Sequence, residues 1–356
     1  MVLLFALAGV LVYRLFYEDD YPAPPIRPRP KAVQLTQQQE ASLSDWGRKI
    51  ASLASEDLGQ ELSPMHDRDA IAALVLDGID GKEVRQTLDE AIRFAVSYKA
   101  GGFLAQACGH PVHFLRVCTR AGFPAVTLRV DYENGLIGYM DVLLQPAGGQ
   151  FKIIDVYNYL SGECRTEDFR CNMVAFFVAR HSEIISKWLD SWNLKKEDAE
   201  YLLLLIKARR KGDEEEILAV CDQAPGHLRN NRLVFFTRTQ VLQRLSISNP
   251  RYERLSFEAM QNPPRMPETP HVLELMLIPK LLASFDYQTA DDAVGKVMAV
   301  IGDDAYLMCL RAEIKFNLMD MEAARALLRR AAELEPDLPL LEEKKRELKF
   351  PQKSEC

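Results

Sequence analysis

The sequence has few cysteines and no closely spaced pair of them. Its 356 residues include 7 Cys, an odd number scattered along the chain, which argues against a disulfide-stapled scaffold. No Cys-x-x-Cys pair is present, and Cys108, His113 and Cys118 do not follow a recognised zinc pattern. Cys164 and Cys171 could form a disulfide only in an oxidising compartment. We therefore expect no metal ion and no cofactor, and these cysteines are interpreted as structural or surface residues.

An excess of positive charge is also absent. Lys and Arg number 44 against 51 Asp and Glu, so the net charge is -7 at pH 7. This acidic balance argues against a nucleic acid as the main partner, because phosphate binding requires clustered Lys and Arg. The sequence contains no recognisable catalytic constellation, so we expect a protein that is not an enzyme. The 48% hydrophobic and 27% charged fractions are typical of a folded protein, and the length allows two or three domains.

The N-terminus carries a long apolar run. Residues 1–17 are apolar, small or aromatic apart from Arg14. As a helix they would be about 26 Å long, slightly short of the hydrocarbon core of about 30 Å. The basic n-region and the cleavage site of a signal peptide are missing, which favours a membrane anchor over a cleaved signal or a buried helix. Arg14 and the basic residues after it favour a cytoplasmic location for the rest of this single-pass protein, with a periplasmic location as the alternative.

Residues 18–36 are rich in proline. The nine residues 22–30 contain five Pro, and such a stretch prefers extended polyproline II structure and acts as a stiff spacer. We favour a spacer over a ligand for a Pro-binding domain, because a folded body on a membrane anchor needs clearance from the lipid.

The next segment, residues 37–181, changes from a helical to a strand pattern. Apolar residues at three- and four-residue spacing predict helices first. These helices cover residues 37–58, 69–76, 84–98 and 114–119. Alternating residues then predict strands over 125–133, 136–145 and 151–160, with Asn134-Gly135 as a strong hairpin signal. In the last strand, Phe151, Ile153, Asp155, Tyr157 and Tyr159 are expected on one face. Helices followed by an antiparallel meander predict an α+β domain.

The last of these strands carries the motif IIDVYNYLSGE at residues 153–163. Helices followed by a meander that ends in this motif resemble the cone-shaped fold shared by nuclear transport factor two and ketosteroid isomerase. The motif is similar in particular to that of a bacterial branch whose last strand reads DVYxYLSGE. This resemblance covers residues 37–181 and implies helices packed on a curved antiparallel sheet around a cavity. In some members the cavity binds a small molecule, and in others it is filled.

Polar residues that would line such a cavity are the candidate ligand-binding residues. They are Arg129, Tyr139, Asp141, Asp155 and Tyr157, with His113 as a further candidate. Isomerase-type chemistry needs a carboxylate base opposite a Tyr and a protonated carboxylic acid. Asp155 has two interpretations, a cavity carboxylate with a raised pKa or a strand residue bonded to the backbone or to Arg129. The second is favoured, because buried polar groups are generally bonded for structural reasons. Tyr157 is interpreted as a packing residue.

Residues 182–350 have an internal repeat and almost no strand pattern. When the sequence is aligned with itself after a shift of 34 residues, apolar residues, aspartates and alanines align with residues of the same kind. The aligned pairs include Leu273 with Leu307, Phe285 with Met319, Asp286 with Asp320, Ala290 with Ala324, and Val294 with Leu328. A 34-residue period of paired helices resembles the tetratricopeptide repeat. The sequence therefore predicts an all-α, tetratricopeptide-like solenoid.

The last repeat unit is the clearest. The residues expected to pack its helices, with one from the unit before, are Ala290, Ala312, Asp320, Ala324, Leu328, Ala331 and Pro336. Small alanines let two helices approach closely, Leu328 fills the space between units, and Pro336 stops the second helix.

Two earlier units are less regular. Residues 199–225 follow the same scheme with Gly212-Asp213 in the turn, whereas residues 232–263 form a looser unit that is broken by Pro250 and by Pro263-Pro264. The Pro-rich residues 262–270 are expected to form a loop. The chain is expected to end with a charged capping helix and a frayed tail, over residues 338–348 and 351–356.

Together these features predict a membrane-anchored scaffold or adaptor. A helical solenoid offers a groove that suits peptides or protein surfaces, so a protein partner is expected there, with the membrane contacted through the N-terminal helix. The alternative is a cone domain that binds or transforms a small ligand, with isomerase- or hydrolase-like chemistry, while the repeats recruit a partner. The oligomeric state stays open.

Overall fold

The chain folds as two compact units. The computed structural model describes residues 34–77, 101–132, 137–169, 198–229, 232–261 and 270–348, with single positions between 85 and 93. The first unit comprises Met1–Asn158 and Glu163–Arg229, and the second comprises Tyr159–Gly162 and Asn230–Cys356. The predicted anchor, the spacer up to residue 33, the predicted domain boundary near residue 181 and the tail lie outside the described residues. None of the helices that the structure describes combines the length and apolar character needed to cross a bilayer.

Helix α1, Gln37–Ser55, begins and ends with local signals that the sequence encodes. The Thr36 hydroxyl accepts a hydrogen bond from the Gln39 N–H at 3.3 Å, and the Thr36 N–H donates to Oε1 of Gln39 at 2.9 Å, which forms a capping box. At the other end the Leu58 N–H donates to the Leu53 carbonyl at 2.8 Å, as in a Schellman motif. The first predicted helix is therefore confirmed, with an end three residues earlier than residue 58.

Two further short helices follow. Helix α2 is Gly59–Leu62, and helix α3 is Arg68–Val75, where the Asp67 carboxylate accepts from the Ala70 N–H at 2.9 Å. This cap confirms the helix predicted near residues 69–76. The helix predicted over 84–98 falls mostly outside the described residues.

An antiparallel sheet of five strands follows these helices in the first unit, in the order β1-β2-β3-β4-β5. The strands are β1 Val112–Arg120, β2 Phe123–Asp131, β3 Ile137–Ala147, β4 Gln150–Asn158 and β5 Glu163–Cys164. Ala121 and Gly122 join β1 to β2 with φ of 51° and 84°, and Gly148 and Gly149 join β3 to β4 with φ of 57° and 81°. Positive φ at both turn residues suits a type I′ hairpin. The Asn134-Gly135 signal lies outside the described residues. Helices and a meander confirm the α+β prediction.

The prediction of a short helix over residues 114–119 is wrong. These residues belong to β1, where Phe114 pairs with Leu128 and Val117 pairs with Val126. The register shifts between Phe114 and Arg116, so the strand contains a bulge that hides its two-residue alternation in the sequence. Pairing with β2 therefore decides the structure of a segment whose own pattern is ambiguous.

A second bulge lies in β4. Leu143 pairs with Asp155, whereas the next residue, Leu144, pairs with Ile153, so one residue of β4 is extra. As a result Ile153 and Val156 both lie in the apolar core, and Asp155 lies on the other side of the sheet. The expectation that Phe151, Ile153, Asp155, Tyr157 and Tyr159 share one face is wrong, because a bulge reverses the alternation and β4 ends at Asn158.

Helix α1 packs on one face of this sheet. The core contains Leu43, Ile50, Ala54, Leu128, Met140, Val142 and Ile153, all buried. Burial of each large apolar side chain contributes about 1.5–3 kcal/mol. A Cβ on Gly47 would lie 2.5 Å from the Phe114 ring, so the glycine lets α1 approach β1 closely. This packing leaves the opposite face of the sheet for the polar residues described below.

His66 joins the α2 region to the 3-10 turn Gly102–Leu104 in the first unit. Its Nδ1 lies 3.0 Å from the Leu62 carbonyl, and its Nε2 accepts from the Phe103 N–H at 3.1 Å. These partners require a neutral ring with the proton on Nδ1. Burial lowers the pKa of His66 from 6.5 to about 4, so the neutral form persists in mild acid.

The first unit also contains a helix pair. Helix α4 is Asp198–Lys211 and helix α5 is Glu214–Asp222. Gly212 has φ of 75°, and the Asp213 carboxylate accepts from the Glu216 N–H at 3.0 Å. The predicted turn at Gly212-Asp213 is therefore confirmed.

The second unit is helical in the part of it that the structure describes beyond residue 229. Its helices are α6 Arg232–Ser248, α7 Pro250–Gln261, α8 Pro270–Ala283, α9 Tyr287–Ile301, α10 Ala305–Asn317, α11 Met321–Leu334 and α12 Pro339–Glu347. Pro250 begins α7 and does not break the unit, since a proline at the first helical position loses no hydrogen bond. Of the loop predicted over residues 262–270, the structure describes Pro270, which begins α8.

The 34-residue alignment is matched by local structure. Phe285 and Met319 have φ of 60° and 63°, and each is followed by an aspartate that caps the next helix. The Asp286 and Asp320 carboxylates accept from backbone N–H groups at 3.2 and 3.1 Å. Equivalent sequence positions therefore have the same backbone conformation and the same cap.

Candidate functional site

The five predicted ligand-binding residues lie on one face of the sheet. In the register, Thr127 pairs with Asp141, Asp141 with Tyr157, and Arg129 with Tyr139. Residues that pair directly across antiparallel strands project to the same side. The five predicted side chains are all buried, with exposures of 6% or less; they are Arg129, Tyr139, Asp141, Asp155 and Tyr157. The structure thus brings them together on the face opposite the α1 core.

Asp141 is the centre of one polar group. Its carboxylate accepts from Nε of Arg120 and, at 2.8 Å, from the Thr127 hydroxyl. The Arg120 guanidinium also lies 3.8 Å from the centre of the Tyr157 ring, a cation–π contact. The carboxylate is thereby bonded from two strands, and the guanidinium that pairs with it is held against an aromatic ring.

Asp155 belongs to a second group. Its carboxylate accepts from the Val156 N–H at 2.8 Å, the Thr166 N–H at 3.1 Å and the Thr166 hydroxyl. Burial raises the pKa of Asp155 to about 6, although the hydrogen bonds from Thr166 act in the opposite direction. The raised pKa agrees with the first interpretation made from the sequence, and the hydrogen bonds to backbone N–H groups agree with the second. These hydrogen bonds join β4 to residues 165–169.

A third group surrounds Asp131 at the end of β2. Nε and one terminal nitrogen of Arg129 donate to its two carboxylate oxygens at 2.8 and 3.2 Å, and Nε2 of His113 lies 3.1 Å away. Burial alone would raise the pKa of Asp131, but hydrogen bonds from His113 and Arg129 bring it below its usual value. The buried Arg129 guanidinium is paired with a carboxylate that stays ionised at neutral pH.

The cysteines near this face are poor nucleophiles. Burial and the nearby Asp141 charge raise the pKa of Cys118 to about 11. Burial and the neighbouring Asp155 also raise the pKa of the Cys164 thiol. Both thiols therefore stay protonated near neutral pH, and thiolate chemistry is disfavoured. Cys171 lies outside the described residues.

The described residues contain no cluster of three His, Cys, Asp or Glu side chains that could hold a metal ion. His113 contacts Asp131, whereas Cys118 lies 3.6 Å from the Thr127 hydroxyl, so these two side chains have different partners. The Asp155 carboxyl group, whose pKa is raised by burial to about 6, can exchange a proton in mild acid. Its oxygens accept hydrogen bonds from Val156 and Thr166, which suits a structural link.

Sequence reasoning missed several residues of these groups. They are Arg120, Thr127, Asp131 and Thr166. Arg120 follows a segment for which a helix was predicted, so its side chain could not be placed on the sheet. The signal that was available is the alternation of polar residues in β2, where Thr127, Arg129 and Asp131 are two residues apart.

The helical unit has its own set of predicted residues. Ala290, Ala312, Ala324, Leu328 and Ala331 are all buried, and Pro336 follows the end of α11. Helix α12 closes the last helix pair, since its Leu341 packs in a cluster with Ala312 and Leu328. The Lys344 ammonium, largely buried, pairs with Glu313 of α10 at 2.9 Å. The described array therefore ends in a helix with an apolar inner side and charged outer residues.

No protein-family model, curated protein or solved structure matches this chain. The resemblance of residues 37–181 to the nuclear transport factor two family therefore stays a prediction, as does the resemblance of the helical part to tetratricopeptide repeats.

Proposed function

We propose that this protein is a membrane-anchored scaffold that holds a protein partner on its helical unit. In this proposal residues 1–17 anchor the chain, residues 18–36 act as a spacer, and the soluble part lies in the cytoplasm, with the periplasm as the alternative. The sheet unit is a cone-like support, and the helices form a tetratricopeptide-like solenoid. A protein, and not a nucleic acid, is the proposed partner.

The observation that carries the proposal is the repetition of one helix-turn-helix design. The pairs α8–α9 and α10–α11 share their turn conformation and their aspartate cap at positions 34 residues apart. Small side chains also recur at buried equivalent positions, Ala290 and Ala324. In stacked modules of this kind, each module contacts mainly its neighbours in sequence. The stack therefore grows in one direction and presents an extended surface. Such surfaces suit polypeptides.

The polar face of the sheet supports a structural role for the first unit. Asp141 is bonded by Arg120 and Thr127, and Asp131 is bonded by Arg129. A ligand that used these carboxylates would have to replace hydrogen bonds that the fold already makes, and breaking a buried ion pair costs about 3–5 kcal/mol. This cost favours scaffold function over ligand chemistry.

Small-ligand binding by the sheet unit is the second candidate, and the raised pKa of Asp155 favours it. Perturbed carboxyl groups occur at functional sites as well as in structural networks. If Asp155 contacts a ligand, Asp155→Asn should abolish ligand binding while the sheet stays folded. Unchanged binding would exclude this candidate.

Affinity capture tests the scaffold proposal. The full chain and a chain that stops after Arg229, at the end of the first unit, would be compared after circular dichroism confirms that the shorter chain is folded. We expect the partner to be lost with the second unit; a partner retained by the shorter chain would refute the proposal. Deletion of residues 1–17 should release the protein from membranes, and persistent membrane fractionation would refute the anchor.

A further inference from the structure

Two turns of the second unit carry large apolar side chains at positions where the backbone favours glycine. Phe285 and Met319 have left-handed backbones, and their side chains are 75% and 78% exposed. The Phe285 N–H donates to the Leu282 carbonyl at 3.1 Å, and the Met319 N–H donates to the Phe316 carbonyl at 2.9 Å. These bonds place both residues at the position after a helix that glycine usually occupies, because a Cβ is disfavoured there.

The chain itself shows that this turn forms with glycine. Between α4 and α5, Gly212 has φ of 75° and Asp213 caps the next helix, as Asp286 and Asp320 do. A Cβ on Gly212 would meet nothing within 4 Å, so this position is open. The turn geometry therefore does not require Phe or Met.

Each turn contributes a second apolar residue. The Tyr287 ring meets the Phe285 ring edge-on at 6.2 Å, and Met321 is 39% exposed at the equivalent position after Met319. The short connection 302–304 returns the chain from α9 to α10, so the two turns lie at the same end of the helix array. We call these four residues, Phe285, Tyr287, Met319 and Met321, the turn face.

The charged residues within two positions of Phe285, Tyr287, Met319 and Met321 in the sequence are all acidic. Residues 284–289 and 318–323 contain Asp286, Asp320 and Glu322 but no Lys, Arg or His. All three carboxylates belong to exposed residues. An occupant that matches this surface carries positive charge next to apolar side chains, since charge complementarity guides polypeptide association.

We propose that the turn face binds a basic segment of a partner polypeptide, in which apolar side chains alternate with Lys or Arg. This inference rests on the proposed function, but it assigns the contact to the turns and not to the groove between the helices. Large exposed apolar residues bury area on binding that the free protein leaves in water. The acidic neighbours select against anionic partners, lipid surfaces included.

Site-specific photocross-linking tests the chemistry of the occupant. The full chain would carry p-benzoylphenylalanine at position 285 or 319 in the cells that produce it, and cross-linked peptides would be sequenced by mass spectrometry. We expect both positions to cross-link to another protein through a peptide with a net positive charge. The matched control is Leu334, an exposed apolar residue at the other end of α11, which should not give this product. A lipid adduct, an acidic peptide, a second copy of this chain or no adduct would each overturn the proposal.

Glycine variants separate binding from stability. In the full chain, Phe285→Gly with Met319→Gly should leave the thermal midpoint equal or higher, because glycine suits a left-handed backbone. Recovery of the cross-linking partner by affinity capture should fall by at least about tenfold. Leu334→Ala should recover as much partner as the unchanged chain. A lower midpoint in the glycine variant, or undiminished recovery, would overturn the proposal.

The outcomes distinguish this inference from the proposed function. If the chain that stops after Arg229 keeps the partner, both are wrong. If that chain loses the partner while the glycine variant keeps it, the scaffold proposal stands and the turn face is not the binding surface.

Discussion

Two buried groups of the first unit should impose opposite pH dependences on its stability. The pKa of His66 is lowered from 6.5 to about 4 by burial, with the nearby Arg68 and Lys152 charges acting in the same direction. The pKa of Asp155 is raised from 3.8 to about 6, also by burial. One group therefore resists protonation in the folded state, and the other favours it.

The signs follow from which state binds the proton first. As pH falls below 6.5, the unfolded chain protonates His66 before the folded chain does. The contribution of neutral His66 to stability is therefore fully present above pH 6.5 and is lost as pH falls to about 4. At about 1.36 kcal/mol per pH unit, the lowering of the pKa from 6.5 to about 4 makes this loss about 3 kcal/mol. Asp155 behaves in reverse: the folded chain protonates first, and stability is gained between about pH 6 and 3.8, by about 3 kcal/mol.

The unchanged protein should therefore show little net contribution from this pair between pH 6 and 4, because the two effects nearly cancel. Asp155→Asn removes the compensating gain. As pH falls from 6.5 to 4, the free energy of unfolding of this variant should therefore decrease by about 3 kcal/mol more than that of the unchanged protein. His66→Gln should show the opposite trend of similar size. Both variants are expected to be less stable at pH 7, since each loses buried hydrogen bonds.

Urea denaturation at fixed pH values between 4 and 7.5 measures these free energies of unfolding. Subtracting the value for the unchanged protein at each pH removes the pH dependence that the two proteins share. Asp45→Asn is the matched control, because the Asp45 side chain is 82% exposed and pairs with the exposed Arg48. This substitution should change the free energy of unfolding by less than about 1 kcal/mol at every pH in the series. Parallel curves for Asp155→Asn and the unchanged protein would refute the reasoning, as would a histidine resonance titration that places the pKa of His66 near 6.5.

Three further substitutions test other contacts by denaturant unfolding. Arg120→Met removes the Arg120 guanidinium from the buried Asp141 carboxylate and should cost about 3–5 kcal/mol of unfolding free energy. Adding Asp141→Asn should recover most of this loss, and equal stability of the single and double variants would contradict the ion-pair assignment. Gly47→Ala places a Cβ 2.5 Å from the Phe114 ring and should cost about 1–3 kcal/mol, and a stabilised variant would show that α1 and β1 are not so close. Ala312→Leu overpacks a buried helix contact and should cost about 1–3 kcal/mol, while the exposed Leu334→Ala should cost less.

Features with local causes could be predicted from the sequence. The Asp67 and Asp320 caps each depend on a side chain three residues before the N–H that it binds, so their signals are contained in short segments. The 34-residue alignment likewise placed Phe285 on Met319, and the two residues proved to have the same left-handed backbone. Local propensity and repetition therefore predicted most of the described helices.

The polar groups of the sheet could be predicted only in part. Arg129, Tyr139 and Asp141 were grouped as candidate cavity residues and do share one face of the sheet. Bulges in β1 and β4, however, reverse the alternation in the outer strands. The position of a bulge depends on pairing with a neighbouring strand, which a single segment does not encode. Thr166 lies beyond the predicted strand and reaches Asp155 through the tertiary fold, so no spacing rule could identify it.

An energetic cost that the fold does not offset indicates function better than the presence of polar residues does. Asp141 and Asp155 are each met by donors from this chain, so the cost of burying them is offset within the first unit. At Phe285 and Met319 the left-handed backbone is disfavoured by about 1–2 kcal/mol, and exposure denies these side chains the gain of burial. Because Gly212 forms the same turn, stability alone would not select large apolar residues at both positions. Association with another molecule would supply the burial that the isolated chain lacks.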